Sequence, residues 1–405
     1  MIKLLWGGSP CTYWSIAQKN NRETRAEGTG WELFKNFLLA KEKFHPDFFL
    51  YENNKSAAEP IKAQIRQELG GHYIEINSAL VSAQNRQRFY VHNGETVEQP
   101  EDRGIMLADI FDVGFTDRDK AYCLKHQAGN IRDYFKKHHS NIAYEPVRVG
   151  STPCPNGEPS EAQSARVYSL DGKSTTLAAN GGGGAKTGLY AIPVNDTNGK
   201  SRTIKHQYQN SAIANFITNG KHQATGIAES LSYAIATAFD KYGLPTQAVS
   251  PSDGKLYTVY PVFNERITIK EKEYPAKLPN GFYIIRKLTV KECCRLQTLP
   301  DDYCRAVSDT QAYKGLGNGW TAEVIIHLLS GMMKGIPRDE KLLVLSMYDG
   351  IGTGRYCLDK MGFSDVEYHA YEIDKYAMSI SASNYPDIIQ HGDAFQIRNT
   401  DWKLN

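Results

Sequence analysis

No stretch of this sequence stays apolar for anything near the roughly 20 residues that a bilayer-spanning helix needs, and mean hydropathy is −0.49. A helical membrane protein is excluded. A disulfide framework is missing as well. The seven cysteines are odd in number, lack framework spacing and include no Cys-x-x-Cys, which reads as reduced thiols in a cytosol. Charge of one sign is scarce, with 47 Lys and Arg against 45 Asp and Glu and a net charge of +2. That excludes a polybasic arm as the main binding device and leaves room for a locally basic cleft. The start, Met1-Ile-Lys-Leu-Leu-Trp-Gly-Gly-Ser-Pro-Cys11, falls short of the about 7–15 apolar residues of a signal peptide. Pro10 also stands where a lipoprotein signal has a small residue. Repeats and low-complexity tails are absent.

What is present is ordinary globular material: 405 residues, 41% hydrophobic and 23% charged, enough for two or three domains at about 150 residues each. Ile2 to Trp6 reads as a short strand that meets a Gly-Gly-Ser-Pro turn, an abrupt start for a domain. Trp31, Phe34, Phe37 and Leu38 have helical spacing, residues 47–51 form a continuous strand run, 55–69 read as a helix, and 72–77 and 88–91 as strands. Strands alternating with helices predict an α/β fold with a doubly wound, mostly parallel sheet. Residues 150–285 are rich in Gly, Ser, Thr and Asn, with helical periodicity only over 227–242 and an insertion near 195–255. They predict a second, smaller, irregular β-rich domain. The α/β pattern resumes at Arg286, with helices over 289–298 and 320–333 and strands over 341–347 and 366–371. The resulting division is 1–145, 146–285 and 286–405.

Three constellations carry chemistry. Asp349-Gly350-Ile-Gly352-Thr-Gly354 follows a strand and opens a helix. Glycines let the backbone approach a ligand, and the helix N-terminus offers unpaired N–H groups. Glu372, ending the next strand, is placed to accept from ribose hydroxyls, and Asp393, ending a third, from an adenine amino group. The Gly-x-Gly-x-Gly spacing differs from the dinucleotide fingerprint and favours S-adenosyl-L-methionine. Gly7-Gly8-Ser9-Pro10-Cys11 is the second constellation. It presents a thiol at a strand end, either a nucleophile or a buried hydrophobe. In the third, Glu52 closes the following strand, and Gln84-x-Arg86-x-Arg88 sends both arginines to one face. A carboxyl beside a base holds a proton on a ring nitrogen, and a guanidinium suits a carbonyl or phosphate. Cys293-Cys294 lies in a helix and reads as packing rather than metal binding, since no partner has ligand spacing.

Together these motifs resemble the DNA cytosine-5 methyltransferases. The resemblance extends to Arg286-x-Leu-Thr-x-x-Glu292-Cys-x-Arg-Leu-Gln297 and Gly317-Asn318-Gly319, and Trp320 and the stretch from Gly7 to Asn53 look most like the animal de novo enzymes. Residues 166–169 and 176–188 are similar to the recognition region of bacterial enzymes that read GCGC-like sites. The family's S-adenosylmethionine loop normally comes first, whereas here it comes last, so the resemblance implies a circularly permuted Rossmann-like methyltransferase. It implies Cys11, Glu52, Arg86 and Arg88 as catalytic residues. Cofactor contacts are implied for Pro10, Asn318, Trp320, Tyr348, Asp349, Gly350, Ile351, Gly352, Gly354, Glu372, Ile373, Asp393 and Ala394. Ser15, Gln163, Arg166, Thr176 and Gly183 are implied as contacts to double-stranded DNA. A monomeric bacterial or phage-encoded cytoplasmic enzyme with no metal follows, acting on a GC-rich site such as GCGC or GCNGC. Rival readings are an N4-cytosine methyltransferase, suggested by Ser9-Pro10-Cys-Thr-Tyr13, a tRNA methyltransferase, and a catalytically silent DNA-binding module.

Overall fold

The continuous apolar run Leu4-Leu-Trp6 is a strand covered on both faces, and Ile2–Gly7 forms the middle of a seven-stranded sheet. The computed structural model describes residues 1–15, 22–116, 118–124, 141–148, 150–151, 166–169, 189–191, 234–241, 244–269, 272–276, 278, 280–400 and 402. The chain divides into two compact units. The first comprises Met1–Ile110, Lys120–Ala128 and Val290–Asn405, and the second Phe111–Asp119 and Gly129–Thr289. The strand Ile142–Arg148 and Arg286 thus fall in the second unit, on either side of the boundaries drawn from sequence at 145/146 and 285/286.

In the first unit the strands lie in the order Ile389–Gln390, Val366–Tyr371, Leu342–Met347, Ile2–Gly7, Phe48–Asn54, Gln87–His92 and His72–Asn77. The first five are mutually parallel, while Gln87–His92 runs antiparallel to both its neighbours. Register decides what meets at the rim. Gly7 lies beside Met347 and Tyr51, Met347 lies beside Tyr371, and Asn54 lies beside Arg88. The loops that follow Gly7, Met347 and Tyr371 therefore leave on one edge, where Glu52 lies near the end of its strand and Arg88 near the start of the antiparallel Gln87–His92.

The helix Gly28–Phe44 buries Trp31, Phe34 and Phe37 against Leu5, Tyr51 and Phe89, the apolar stripe read from sequence. The helix expected from residue 55 begins at Glu59, because Pro60 suits a first turn and residues 55–58 form the preceding turn. The helix Asp309–Asn318 has no counterpart in the sequence reading. Its Lys-Gly-Leu-Gly segment looks like a loop, but Gly315 lets the helix lie against Ile351, where a Cβ would come within 2.7 Å of the Ile351 side chain. Among the described residues no helix is long and apolar enough to cross a membrane.

In the second unit the strands Pro245–Val249, Ala234–Phe239, Ile142–Arg148, Gly281–Lys287 and Leu256–Phe263 pair in sequence, and the last pairs back to the first. This closes a ring around Val147, Ala234, Ala248, Val259 and Ile284. Arg266–Ile269 and Lys272–Pro275 extend the sheet beyond it. The helix expected over 227–242 is corrected where it is described. Residues 234–239 are a strand whose alternating burial is satisfied by pairing on both edges. Three short strands, Gly150–Ser151, Arg166–Ser169 and Leu189–Ala191, form a separate small sheet. Arg286, part of a quoted motif, is fully buried here and paired with Glu145, and it also donates to Val113 O at 3.1 Å.

Candidate active site

The Gly-Gly-Ser-Pro-Cys turn is tied to the neighbouring strand. Ser9 Oγ lies 2.7 Å from the Tyr51 hydroxyl, and Asn53 Nδ2 donates to Ser9 O at 2.9 Å. Gly8 is needed for a close approach, since a Cβ there would sit 2.7 Å from Glu52 Oε2 and 2.8 Å from Glu52 O. Cys11 opens a short 3-10 turn, and its carbonyl accepts from the Trp14 and Ser15 N–H groups. Cys11 itself is half-buried and Pro10 exposed. The six described cysteines are all free thiols, with Cys293 and Cys294 buried in the helix Val290–Leu296.

Glu52 receives one donor on each oxygen. Arg88 Nε lies 2.9 Å from Oε1, and Trp320 Nε1 donates to Oε2 at 3.1 Å. Arg86 is held by the backbone at the C-terminal end of the helix Asp309–Asn318, donating to Gly317 O at 3.2 Å and Gly319 O at 2.7 Å. Gln84 and Gln297 brace the same region, Gln84 against Leu296 O and Gln297 against Leu316 O. The expected common face of Arg86 and Arg88 has a further member, Cys123. Arg86 Nη1 donates to its sulfur at 3.3 Å, and Arg88 Nη2 approaches at 3.9 Å. No spacing rule points to Cys123. It arrives because the two-residue strand Ala121–Tyr122 pairs with Gln84–Asn85.

The electrostatics of the two thiols diverge. Burial pushes the Cys11 thiol up, and Glu52 adds to this against the opposing pull of Arg88 and Arg86. Burial also acts to raise Cys123, but Arg86 and Arg88 outweigh it and bring that thiol below its ordinary value. A thiol, a carboxylate and two guanidinium groups thus meet at the sheet edge. That set can add a thiolate to an electron-poor ring while a carboxyl handles a ring proton.

At the adjoining strand ends lies a glycine-lined turn. Gly350 and Gly352 have φ of 64° and 77°, a left-handed backbone that favours glycine. Glu372 Oε2 accepts from Gly350 N, and its Oε1 from the Ile373 and Asp374 N–H groups, all at 2.8 Å. Asp349 Oδ1 accepts from Ser346 Oγ at 2.7 Å and from Tyr368 OH at 2.6 Å, whereas the buried Oδ2 has no partner. Burial, reinforced by the Glu372 charge, pushes the Asp349 carboxyl up to about 6. Tyr348 donates to Leu33 O at 2.7 Å, and Ile351 is buried. Asp393 caps the turn Ala394–Arg398 and is exposed, with Ala394 buried behind it. Ile373 and Phe395 present apolar surface, Ile373 at 73% exposure. Asn318 is exposed at its helix end and Trp320 is half-buried. Ser15 lies 3.4 Å from Asn54 Nδ2, and of Arg166 the backbone in its strand is described. Gln163, Thr176 and Gly183 lie outside the described residues.

A parallel sheet that gathers a thiol, a carboxylate and a nucleotide-type cradle at one edge defines a group-transfer enzyme of the α/β class. Residues 1–334 match the family model for C-5 cytosine-specific DNA methylases, and the chain belongs to that family. It is an S-adenosylmethionine-dependent DNA cytosine methyltransferase. The sequence is similar to the orphan methyltransferase M.SPRI of Bacillus phage SPR, with 23% identity over 377 residues, 80% of each chain.

Proposed function

We propose that this enzyme methylates C5 of a cytosine turned out of duplex DNA, by covalent catalysis through Cys11. The observation that carries the reading is the junction of the Cys11 turn with Glu52, whose carboxylate is gripped by Arg88 at 2.9 Å. A stacked base hides its C6, so the target must leave the helix before a thiolate reaches it. Cys11 loses its proton and its sulfur bonds to C6. Glu52 stabilises the proton on N3, which draws the ring electrons away from C6, while Arg88 holds O2. C5 becomes enamine-like and nucleophilic, and S-adenosyl-L-methionine supplies the electrophilic methyl group. A base, water in the simplest case, then removes the C5 proton, and the returning electron pair expels Cys11.

The strand-end cradle fits that cofactor. A buried acceptor without a partner, Asp349 Oδ2, suits a cationic head group. Glu372 suits ribose hydroxyls, Asp393 an adenine amino group, and exposed Ile373 an aromatic face. Tyr348, Gly350, Ile351, Gly352, Gly354, Ala394, Pro10, Asn318 and Trp320 complete the assigned contacts. On the DNA side Arg166 reads a guanine edge, Gln163 fills the space left by the flipped base, Thr176 contacts a backbone phosphate, and Ser15 and Gly183 are further DNA contacts. Two observations support circular permutation. The family match ends at residue 334, ahead of the 349–354 loop, yet Leu342–Met347 is the immediate sheet neighbour of Ile2–Gly7. The phage relative is in keeping with a protective or restriction–modification role, and the resemblance of residues 166–169 and 176–188 to recognition regions that read GCGC-like sites supports a short GC-rich target such as GCGC or GCNGC.

Bisulfite sequencing of plasmid recovered from cells expressing the protein tests the reading. Full protection of cytosines within one short motif is expected. No protection would overturn duplex DNA as substrate, and partial protection would point to N4 chemistry.

A further inference from the structure

We infer that Trp320 is a positioning residue for Glu52, holding the carboxylate by its indole N–H in the orientation that cytosine N3 requires. This rests on the assignment of Glu52 above. A glutamate at a strand end has several rotamers open to it, and catalysis needs one of them. Here the choice is made from two elements, with Arg88 Nε on Oε1 and Trp320 Nε1 on Oε2. Both contacts are charge-assisted hydrogen bonds, which are shorter and stronger than neutral ones.

Trp320 is itself held. Its ring stands edge-on to Trp6, with centroids 6.1 Å apart and planes at 89°. Trp6 is fully buried and donates to Tyr368 OH at 3.2 Å, and that hydroxyl donates to Asp349 Oδ1 at 2.6 Å. The helix Thr353–Lys360 closes on the same rings, since a Cβ at Gly354 would lie 2.5 Å from Trp6 Cζ2 and 2.8 Å from Tyr368 OH. A continuous line of contacts therefore runs from the glycine turn through Tyr368, Trp6 and Trp320 to Glu52. A role as cofactor wall alone would use the aromatic face of Trp320 and leave its N–H without a task.

The test separates the N–H from the ring. The five-membered rings of tryptophan and histidine carry a nitrogen at the same position relative to Cβ. Trp320→His thus keeps a donor near Glu52 and loses apolar volume, whereas Trp320→Phe keeps more volume and loses the donor. Two readouts are taken on the full chain: calorimetric binding of S-adenosylhomocysteine, which also reports folding, and cofactor-free exchange of the cytosine C5 hydrogen in duplex DNA. Exchange is expected to fall about 10- to 100-fold in Trp320→Phe, the range for losing a hydrogen bond to a charged group. Trp320→His is expected to recover part of that loss, and because exchange runs without cofactor that recovery is independent of any change in S-adenosylhomocysteine affinity. Trp320→Phe exchanging as fast as Trp320→His, or faster, would overturn the inference. So would a loss that follows cofactor affinity alone. Glu52→Gln runs alongside: exchange at the unsubstituted rate in that variant would overturn the Glu52 assignment itself, and with it this inference.

Discussion

Arg86 Nη1 donates to the sulfur of Cys123 at 3.3 Å, so a second thiol holds part of the positive charge beside the proposed nucleophile. With Arg86 and Arg88 lowering Cys123, and Cys123 in turn among the influences that raise Cys11, the two thiols compete for the same guanidinium field. Cys123→Ser replaces an ionisable group by a neutral hydroxyl. The Cys11 thiol is then expected to ionise at lower pH, seen as a downward shift in the pH dependence of its alkylation by iodoacetamide, with Cys11→Ala as the blank. An unchanged or upward-shifted profile would contradict the competition.

Cys11→Ala removes the group proposed to bond C6. Methyl transfer should drop by more than about 10³-fold, in line with loss of a nucleophile elsewhere, while S-adenosylhomocysteine binding measured by calorimetry stays intact. Retained methylation would make the covalent mechanism wrong.

The pair Arg286–Glu145 lies within the second unit with both side chains fully enclosed. Arg286→Met alone leaves an uncompensated carboxylate and should cost about 3–5 kcal/mol. The double substitution Arg286→Met with Glu145→Leu should recover most of that. Urea unfolding followed on the full chain decides between recovery and simple addition of the two losses.

His92 gives a pH-dependent stability term. Burial, with a smaller contribution from His72, lowers its imidazole from 6.5 to about 4, and neither ring nitrogen has a hydrogen-bond partner. The folded chain thus binds fewer protons than the unfolded chain between those values. Stability present above about pH 6.5 is lost as pH falls toward 4, about 2 kcal/mol by pH 5. His92→Phe should flatten that part of the profile of melting temperature against pH, and an unaltered slope would rule His92 out as its source.

Motifs at strand ends were legible from sequence because a parallel sheet delivers every strand's carboxyl end to one edge. Glu52, Asp349, Glu372 and the Cys11 turn needed only their strands to be recognised, whereas Arg88 reaches the same edge from the start of an antiparallel strand. Periodicity was less dependable where pairing decided the outcome. Residues 234–239 carry small and branched apolar residues that suit either helix or strand, and the neighbours at 142–148 and 245–249 draw them into a sheet. The helix Asp309–Asn318 escaped notice because its glycines count against a helix locally and are explained only by contact with Ile351.

Motif types and their spacing, through the resemblance to a known family that they carry, determined the chemical class of this protein, since each candidate side chain sits within a few residues of an element boundary. Only the tertiary structure brought Cys123 to Arg86, Trp320 to Glu52 and Trp6 to Tyr368 and Trp320. Those pairs are separated by 37, 268 and more than 300 residues along the chain. Local sequence carries no record of such distances, because a side chain's partner across a sheet is fixed by strand order and register rather than by its neighbours in the chain.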